Sequence, residues 1–409
     1  MKKRLPLGAS PIALALFVAV LAPSQLAAQG APKSEATAAS YCVQVKDPTA
    51  RKYCFDARTQ YNSRQFRASL ATMRKAFAAS PKEPVLRALT AYMMMALGDV
   101  GSSERELRQA RKDGAPDDVV LPALLPLMVS RHEENQLLTE FPEPAPGAKG
   151  GQVAEILAGR AKALLSLDRL PEAAAAMDRC LVLRRNSAGL ILRAEIATRQ
   201  NDRALAAKLI DEAYRLDPKS GAVALARMKQ IESSGDTAKT LAFSQQMVSL
   251  FPDAIEFRRI RIETLLKMKQ DSQAKVEVDA LLAKLPYSNF GKYYTALLRA
   301  RANDKRGAWQ IMQAIPSEFV KQNPAVAVSM AQLAVDTGHV DSGAAILANA
   351  LSGDPNALDV RLQLANLRMM QNSPQAALTI LEPVKDASDP RVQKLLGSVR
   401  ARIAKDRAF

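Results

Sequence analysis

The chain has 409 residues, with 57 Lys and Arg against 41 Asp and Glu, and is 48% hydrophobic, enough to bury a sizeable core and too much for a disordered tail. With only two His and three Cys, a histidine-based metal centre or catalytic triad would have to draw on His132 and His339, and a four-thiolate zinc site cannot be built.

In chain order, residues 1–30 read as a secretory signal. Lys2, Lys3 and Arg4 form its charged start. Ile12 to Leu21 is a ten-residue apolar run, too short for a stable bilayer anchor. Small residues for cleavage follow at Ala27, Ala28 and Gly30. No Cys ends the segment, so no lipoprotein acylation site is expected. No later stretch approaches the ~18 apolar residues of a spanning helix. The mature chain is therefore expected in the periplasm, without a transmembrane segment and with a net charge of +13. Residues 31–49 read as a flexible leader with the start of the first helical unit. Cys42 and Cys54 flank Pro48. Two helical pieces meeting at that proline would bring them together, so a disulfide is expected in an oxidising compartment, the alternative being two small buried thiols.

Beyond the leader a period appears. Pro218, Pro252 and Pro286 are spaced by 34 residues and close the phrases EAYRLDP, QMVSLFP and ALLAKLP. Turn-type residues stand seventeen positions earlier at Asn201, Gly235 and Lys269, and the series continues at Asn303, Gly338 and Asn372. Small residues follow each turn at Ser103, Ala206, Ala274, Ala308, Gly343 and Ala377, with others at Ala110, Ala213 and Ala350. Each unit reads as two helices. They are joined at a residue that tolerates positive φ, often followed by an Asp that caps the second helix. Small residues lie where the helices cross, and proline ends the unit.

This pattern resembles the tetratricopeptide (TPR) repeat family. The resemblance implies an all-α fold, a right-handed TPR-type solenoid of about ten helix pairs. The units start near residues 50, 84, 117, 154, 187, 221, 255, 289, 324 and 358. Residues 50–146 are expected as N-terminal TPR-like units, 147–389 as C-terminal units and 390–409 as a basic capping helix. The unit from 117 is degenerate, with Pro122 and Pro126 and no turn glycine, and the loop PEPAPGAKGG (142–151) is expected to mark a bend between the halves.

Little in the chain points to chemistry. There is no HExxH, no Gly-rich phosphate loop, no GxSxG and no CxxC. No catalytic residue, metal site or cofactor is expected. Cys180 occupies the position of Ala110, Ala213 and Ala350 and reads as a small buried residue. Met93, Met94, Met95 and Trp309 read as packing. Nucleic acid is not expected as a partner of an exported chain. Binding is the better case. In a TPR solenoid the first helices face a concave groove, and in this register Lys162, Arg199, Lys229, Arg259, Tyr293 and Arg301 fall on that face. They would form a basic stripe for a carboxylated partner, an acidic peptide or an anionic polysaccharide. Glu195, Glu232, Glu256 and Glu263 are interleaved, so the alternative is ordinary solvated charge.

A narrower resemblance rests on ALGDVGSSERELRQARKDGAP, VVLPALLPLMVSRHEENQLLTEF, AEILAGRAKALLSLDRLPEAAAAMDRCL and FGKYYTALLRARANDKRGAWQ. Over roughly residues 60–315 the chain resembles the TPR-repeat lipoproteins of exosortase/PEP-CTERM systems, though it lacks their acylated Cys. That resemblance implies a periplasmic scaffold for an envelope assembly, with envelope proteins as partners and a link to exopolysaccharide production or export.

Overall fold

The structure, a computed structural model, describes residues 41–407. The expected signal, 1–30, and the leader as far as residue 40 lie outside the described residues. Within the stretch read as leader and first unit, residues from Tyr41 onward are already packed, with Tyr41, Cys42 and Val45 buried. Cys42 and Cys54 form a disulfide with their Cα atoms 5.7 Å apart.

The described chain is all-helical and falls into two compact units that divide between Gln230 and Ile231. In the first unit, hairpins of helices follow one another. They are α1 (Pro48–Asn62) with α2 (Phe66–Ala79), α3 (Pro84–Ala96) with α4 (Val100–Lys112), and α5 (Asp117–Ser130) with the short α6 (Glu134–Glu140). Then come α7 (Gly151–Ser166) with α8 (Leu170–Leu183), and α9 (Ser187–Arg199) with α10 (Arg203–Leu216). Helix α11 (Gly221–Ser233) crosses the division. The second unit continues with α12 (Thr237–Leu250), then α13 (Ile255–Lys267) with α14 (Asp271–Lys284), and α15 (Asn289–Arg301) with α16 (Lys305–Gln313). After the short α17 (Ser317–Lys321) come α18 (Pro324–Asp336) with α19 (Val340–Gly353), and α20 (Leu358–Met370) with α21 (Pro374–Leu381). Helix α22 (Pro390–Arg407) ends the described chain and packs on α20 and α21.

One residue in each hairpin turn takes the left-handed conformation. The series runs Arg64, Gly98, His132, Asp168, Asn201, Gly235, Lys269, Asn303, Gly338 and Asn372, with φ between 56° and 87°. Three of these, Arg64, His132 and Asp168, were not expected to serve as turn residues. The pair that lacks a glycine turns on His132 instead, at φ 60°. Aspartates after the turn cap the second helix as expected. Asp99, Asp202, Asp236 and Asp304 accept from the backbone N–H of Ser102, Leu205, Lys239 and Gly307 at 2.9–3.2 Å.

Five residues beyond each turn a small side chain is buried where the two helices cross: Ser69, Ser103, Ala173, Ala206, Thr240, Ala274, Ala308 and Ala377 are all at most 5% exposed. The two serines return their hydroxyls to the partner helix, Ser69 Oγ donating to the Ala57 carbonyl at 2.6 Å and Ser103 Oγ to Ala91 at 2.7 Å. The degenerate third pair has Leu137 at this position, and its second helix is only seven residues long. Helix α5 runs unbroken through Pro122 and Pro126. The two prolines lie four apart on one half-exposed face. The opposite face buries Leu121, Leu124, Leu125 and Met128, which offsets the lost backbone hydrogen bonds.

The loop expected to mark a bend lies inside the first unit. Arg160 donates to the carbonyls of Leu138 and Phe141 at 3.0 and 2.7 Å, and Arg179 to those of Pro144 and Ala145 at 2.9 and 3.1 Å. Across the loop, α5 packs directly on α7, so closely that a Cβ added at Gly159 would stand 2.7 Å from Leu125 Cδ1. The loop is thus packed within the first unit, which runs on to Gln230.

Candidate interaction surface

In the second unit, the first helices of successive pairs, α13, α15 and α18, bring an aromatic and charged cluster together. Arg259 on α13 lays its guanidinium 3.7 Å from the ring centroid of Phe290 on α15. Its Nε donates to the Tyr294 hydroxyl at 3.5 Å, and an Nη atom lies 3.7 Å from Glu263, one turn further along α13. The Tyr294 hydroxyl in turn donates to Glu263 Oε1 at 2.6 Å. Phe290 meets Phe319 edge-on at 4.8 Å between centroids, and Tyr293 shares a hydrogen bond with Ser329 on α18 at 3.0 Å. Arg259 and Glu263 keep about a third of their side chains exposed, 33% and 35%, so the cluster has an open polar edge over an aromatic floor of buried Tyr293 and Tyr294 and half-buried Phe290 and Phe319.

The electrostatics follow from that burial. Burial pushes the Tyr293 hydroxyl up to about 12, and only its bond to Ser329 and the nearby Arg259 act the other way. Tyr294 is raised well above its ordinary value, first by burial and then by the negative charge of Glu263. Burial works against the charged form of Arg259, but Tyr294, Glu263 and Glu256 outweigh it and raise its pKa, so it stays a fixed cation. Behind the cluster, Glu277 on α14 is held between Arg258 and Arg261 of α13 at 2.6 and 2.7 Å, which fixes the roll of α13 against its pair.

The structure places the six groove residues on first helices but does not leave them as a free basic stripe. Arg199 pairs with Asp168 at 2.8 Å, Arg301 with Asp271 at 2.8 Å, and Arg259 with Glu263. Lys162 is half-buried, and burial lowers its pKa against the opposing pull of Glu195. Lys229 on α11 is exposed. Of the six, Arg259 and Tyr293 belong to one cluster, linked through Tyr294. Sequence reasoning had not singled out Tyr294, whose tyrosine doublet with Tyr293 is its one visible signal, or Ser329 and Phe319.

In the first unit, a solvent-open hollow of about 620 Å³ is lined by Arg108, Arg111, Lys112, Asp117, Glu140 and Gln152. Its charges are largely matched internally. Arg108 contacts Glu104, Glu133 and Glu140, and Arg111 pairs with Asp117 at 2.8 Å while lying over Phe141. Cys180 is buried and donates to the Ala154 carbonyl, and burial pushes its thiol up to about 11. Trp309 is buried and stacks on His339 at 5.4 Å. Among the described residues no group of three His, Cys, Asp or Glu side chains could hold a metal ion, and no helix is long and apolar enough to cross a membrane.

Residues 334–399 match the profile of a tetratricopeptide repeat family. Against curated proteins, none matches the chain. Among solved structures, the chain is similar to the APC/C hetero-tetramer Cut9–Hcn1, at 13% identity and a TM-score of 0.49, covering 91% of this chain and 79% of that one. It is also similar to yeast Tom70, at 13% identity and a TM-score of 0.48, covering 89% and 97%. PilF of Pseudomonas aeruginosa matches at 13% identity and a TM-score of 0.40, over 53% of this chain and 97% of that one. At these identities the likeness concerns the fold alone.

Proposed function

We propose that this chain, whose helix pairs are tetratricopeptide repeats, is a non-catalytic scaffold that binds proteins along the first helices of its repeats. The observation that carries this reading is the cluster of Arg259, Phe290, Tyr294 and Glu263. It offers a rigid aromatic floor and one oriented guanidinium, the residue types that dominate the energetics of protein interfaces. Stacked helix pairs hold such residues on stiff elements, as a scaffold needs.

The finer reading is a periplasmic scaffold in an envelope assembly, linked to exopolysaccharide production or export. It is supported by the signal-like segment 1–30, by a Cys42–Cys54 pair suited to an oxidising compartment, and by the resemblance to exosortase-associated TPR proteins. The alternative, an anionic polysaccharide laid along the first helices, is weaker because Arg199, Arg259 and Arg301 are already engaged by carboxylates. Two experiments test the reading. Fractionation should recover the chain in the periplasm, and recovery in the cytosol with Met1 intact would overturn the location. Capture from solubilised envelopes should yield a protein partner that an Arg259→Ala, Phe290→Ala variant fails to hold; capture of none, or equal capture by both, would overturn the scaffold role of this surface.

A further inference from the structure

The excess positive charge is not spread evenly. Between residues 41 and 82, nine Lys and Arg stand against two Asp and Glu, whereas residues 83–407 hold 44 against 38. More than half of the net charge of the described chain thus lies in its first helix pair. Seven of those cations, Lys46, Lys52, Arg64, Arg67, Arg74, Lys75 and Lys82, are exposed, and none of their side chains has an ion-pair partner among the described residues. This is unlike the rest of the molecule, where most arginines pair with a carboxylate.

Helix α2 shows how the cations are presented. Ser69, Met73 and Ala76 form its buried face. Arg67, Arg74 and Lys75 lie on the opposite face, separated by exposed Ala68, Ala71, Ala78 and Ala79, and the helix contains no acidic residue. With Arg64 in the preceding turn, the cations extend over about 16 Å, at ~1.5 Å per residue. The alanines between them give low relief. Two apolar side chains of the same region, Val43 and Phe55, are 60% and 37% exposed.

We propose that this first helix pair docks on the surface of an anionic phospholipid bilayer. A low, acid-free cationic helix face suits a flat layer of phosphate headgroups, to which each basic side chain adds a roughly independent attraction. Exposed Val43 and Phe55 provide apolar groups for the interface. Only nineteen residues separate Leu21, the end of the apolar run, from Tyr41, a span of at most about 65 Å. On the export reading proposed above, on which this part of the argument rests, the first pair is the described part of the chain nearest, along the sequence, to the segment that meets a bilayer. The C-terminal helix α22 is also basic, but Arg391 and Arg402 are engaged by Asp359, Asp389 and Asp406, which makes it a suitable control.

The test is co-sedimentation of the full chain with phosphatidylcholine vesicles, with and without phosphatidylglycerol. Neutral vesicles report any binding by the apolar run, and the increment with phosphatidylglycerol reports the charge. At about fivefold per surface cation, the Arg67→Gln, Arg74→Gln, Lys75→Gln variant should lose on the order of a hundredfold of that increment. A control carrying Lys394→Gln, Arg400→Gln and Lys405→Gln should keep it, and high salt should abolish it in both. Unchanged melting of both variants checks that they fold. Equal losses in the two variants would mean that net charge alone acts, and no phosphatidylglycerol increment would mean no docking; either overturns the proposal. So would patch-dependent binding of soluble alginate or polyglutamate by a chain that ignores the vesicles.

Discussion

The guanidinium of Arg259 lies 3.7 Å from the ring centroid of Phe290, two residues that meet across adjacent repeats and on neighbouring first helices. The contact orients a cation that is also engaged by Tyr294 and Glu263, so the group is presented in one geometry instead of sweeping through solvent.

That arrangement predicts a specific mutational signature. Arg259→Ala should weaken capture of a protein partner at least tenfold, the scale of an interface hot spot. It should lower stability by only about 1 kcal/mol, the scale of a partly exposed cation–π contact. Arg259→Lys should not restore binding, because an ammonium cannot reproduce the planar stack. Quantitative capture beside urea denaturation checks this, and full rescue by Lys would refute the role given to the guanidinium.

The disulfide should matter more for folding than for binding. Cys42 and Cys54 close a short loop, separated by 12 positions, at the start of the first helix pair. Its removal in a Cys42→Ser, Cys54→Ser variant should cost roughly 3 kcal/mol by the chain-entropy argument. Calorimetry with and without reductant gives the comparison, and a wild-type protein indifferent to reductant would contradict it.

The left-handed turn residues allow a prediction of opposite signs. Lys269 holds φ at 59° against its own Cβ, so Lys269→Gly should stabilise the protein by about 1 kcal/mol. Gly338 holds φ at 87°, and an added Cβ there meets nothing within 4 Å. Gly338→Ala should therefore cost about 1 kcal/mol through the backbone alone. Chemical denaturation midpoints of the two variants should move in opposite directions.

The buried tyrosines predict an alkaline limit. Burial pushes Tyr293 up to about 12 in the folded protein and Tyr294 well above its ordinary value, against 10.0 for an unperturbed phenol. Above pH ~10 the unfolded chain releases these protons while the folded chain keeps them. The unfolded state then binds fewer protons, so stability, fully present below pH ~10, falls as pH rises towards 12. Each tyrosine contributes up to about 1.4 kcal/mol per pH unit. Tyr293→Phe should flatten the decline, and an identical slope in the variant would count against the burial argument.

How much of this was legible in the sequence follows from the range of each interaction. The turns at Gly98, Asn201, Gly235 and Asn303, and their aspartate caps, are local and could be read directly. Arg64, His132 and Asp168 could not: arginine has no preference for the left-handed region, and Asp and His, though they tolerate it, occur at many other positions, so only the spacing of 33 to 36 residues marks them. The neutralisation of two groove cations was hidden because their partners lie one repeat away: Arg199 and Asp168 are separated by 31 positions, Arg301 and Asp271 by 30. The cationic first pair was obscured differently, since a whole-chain net charge averages it over ten units.

The central claim is that the first-helix surface around Arg259 holds a protein partner. The most direct measurement is site-specific photo-crosslinking in intact cells from half-exposed positions beside that cluster, such as Lys292, with exposed Arg306 on a second helix as the reference position. The account predicts a discrete crosslinked protein from position 292, absent from position 306 and lost in the Arg259→Ala background. Crosslinks that form equally from both positions, or persist undiminished without Arg259, would contradict it.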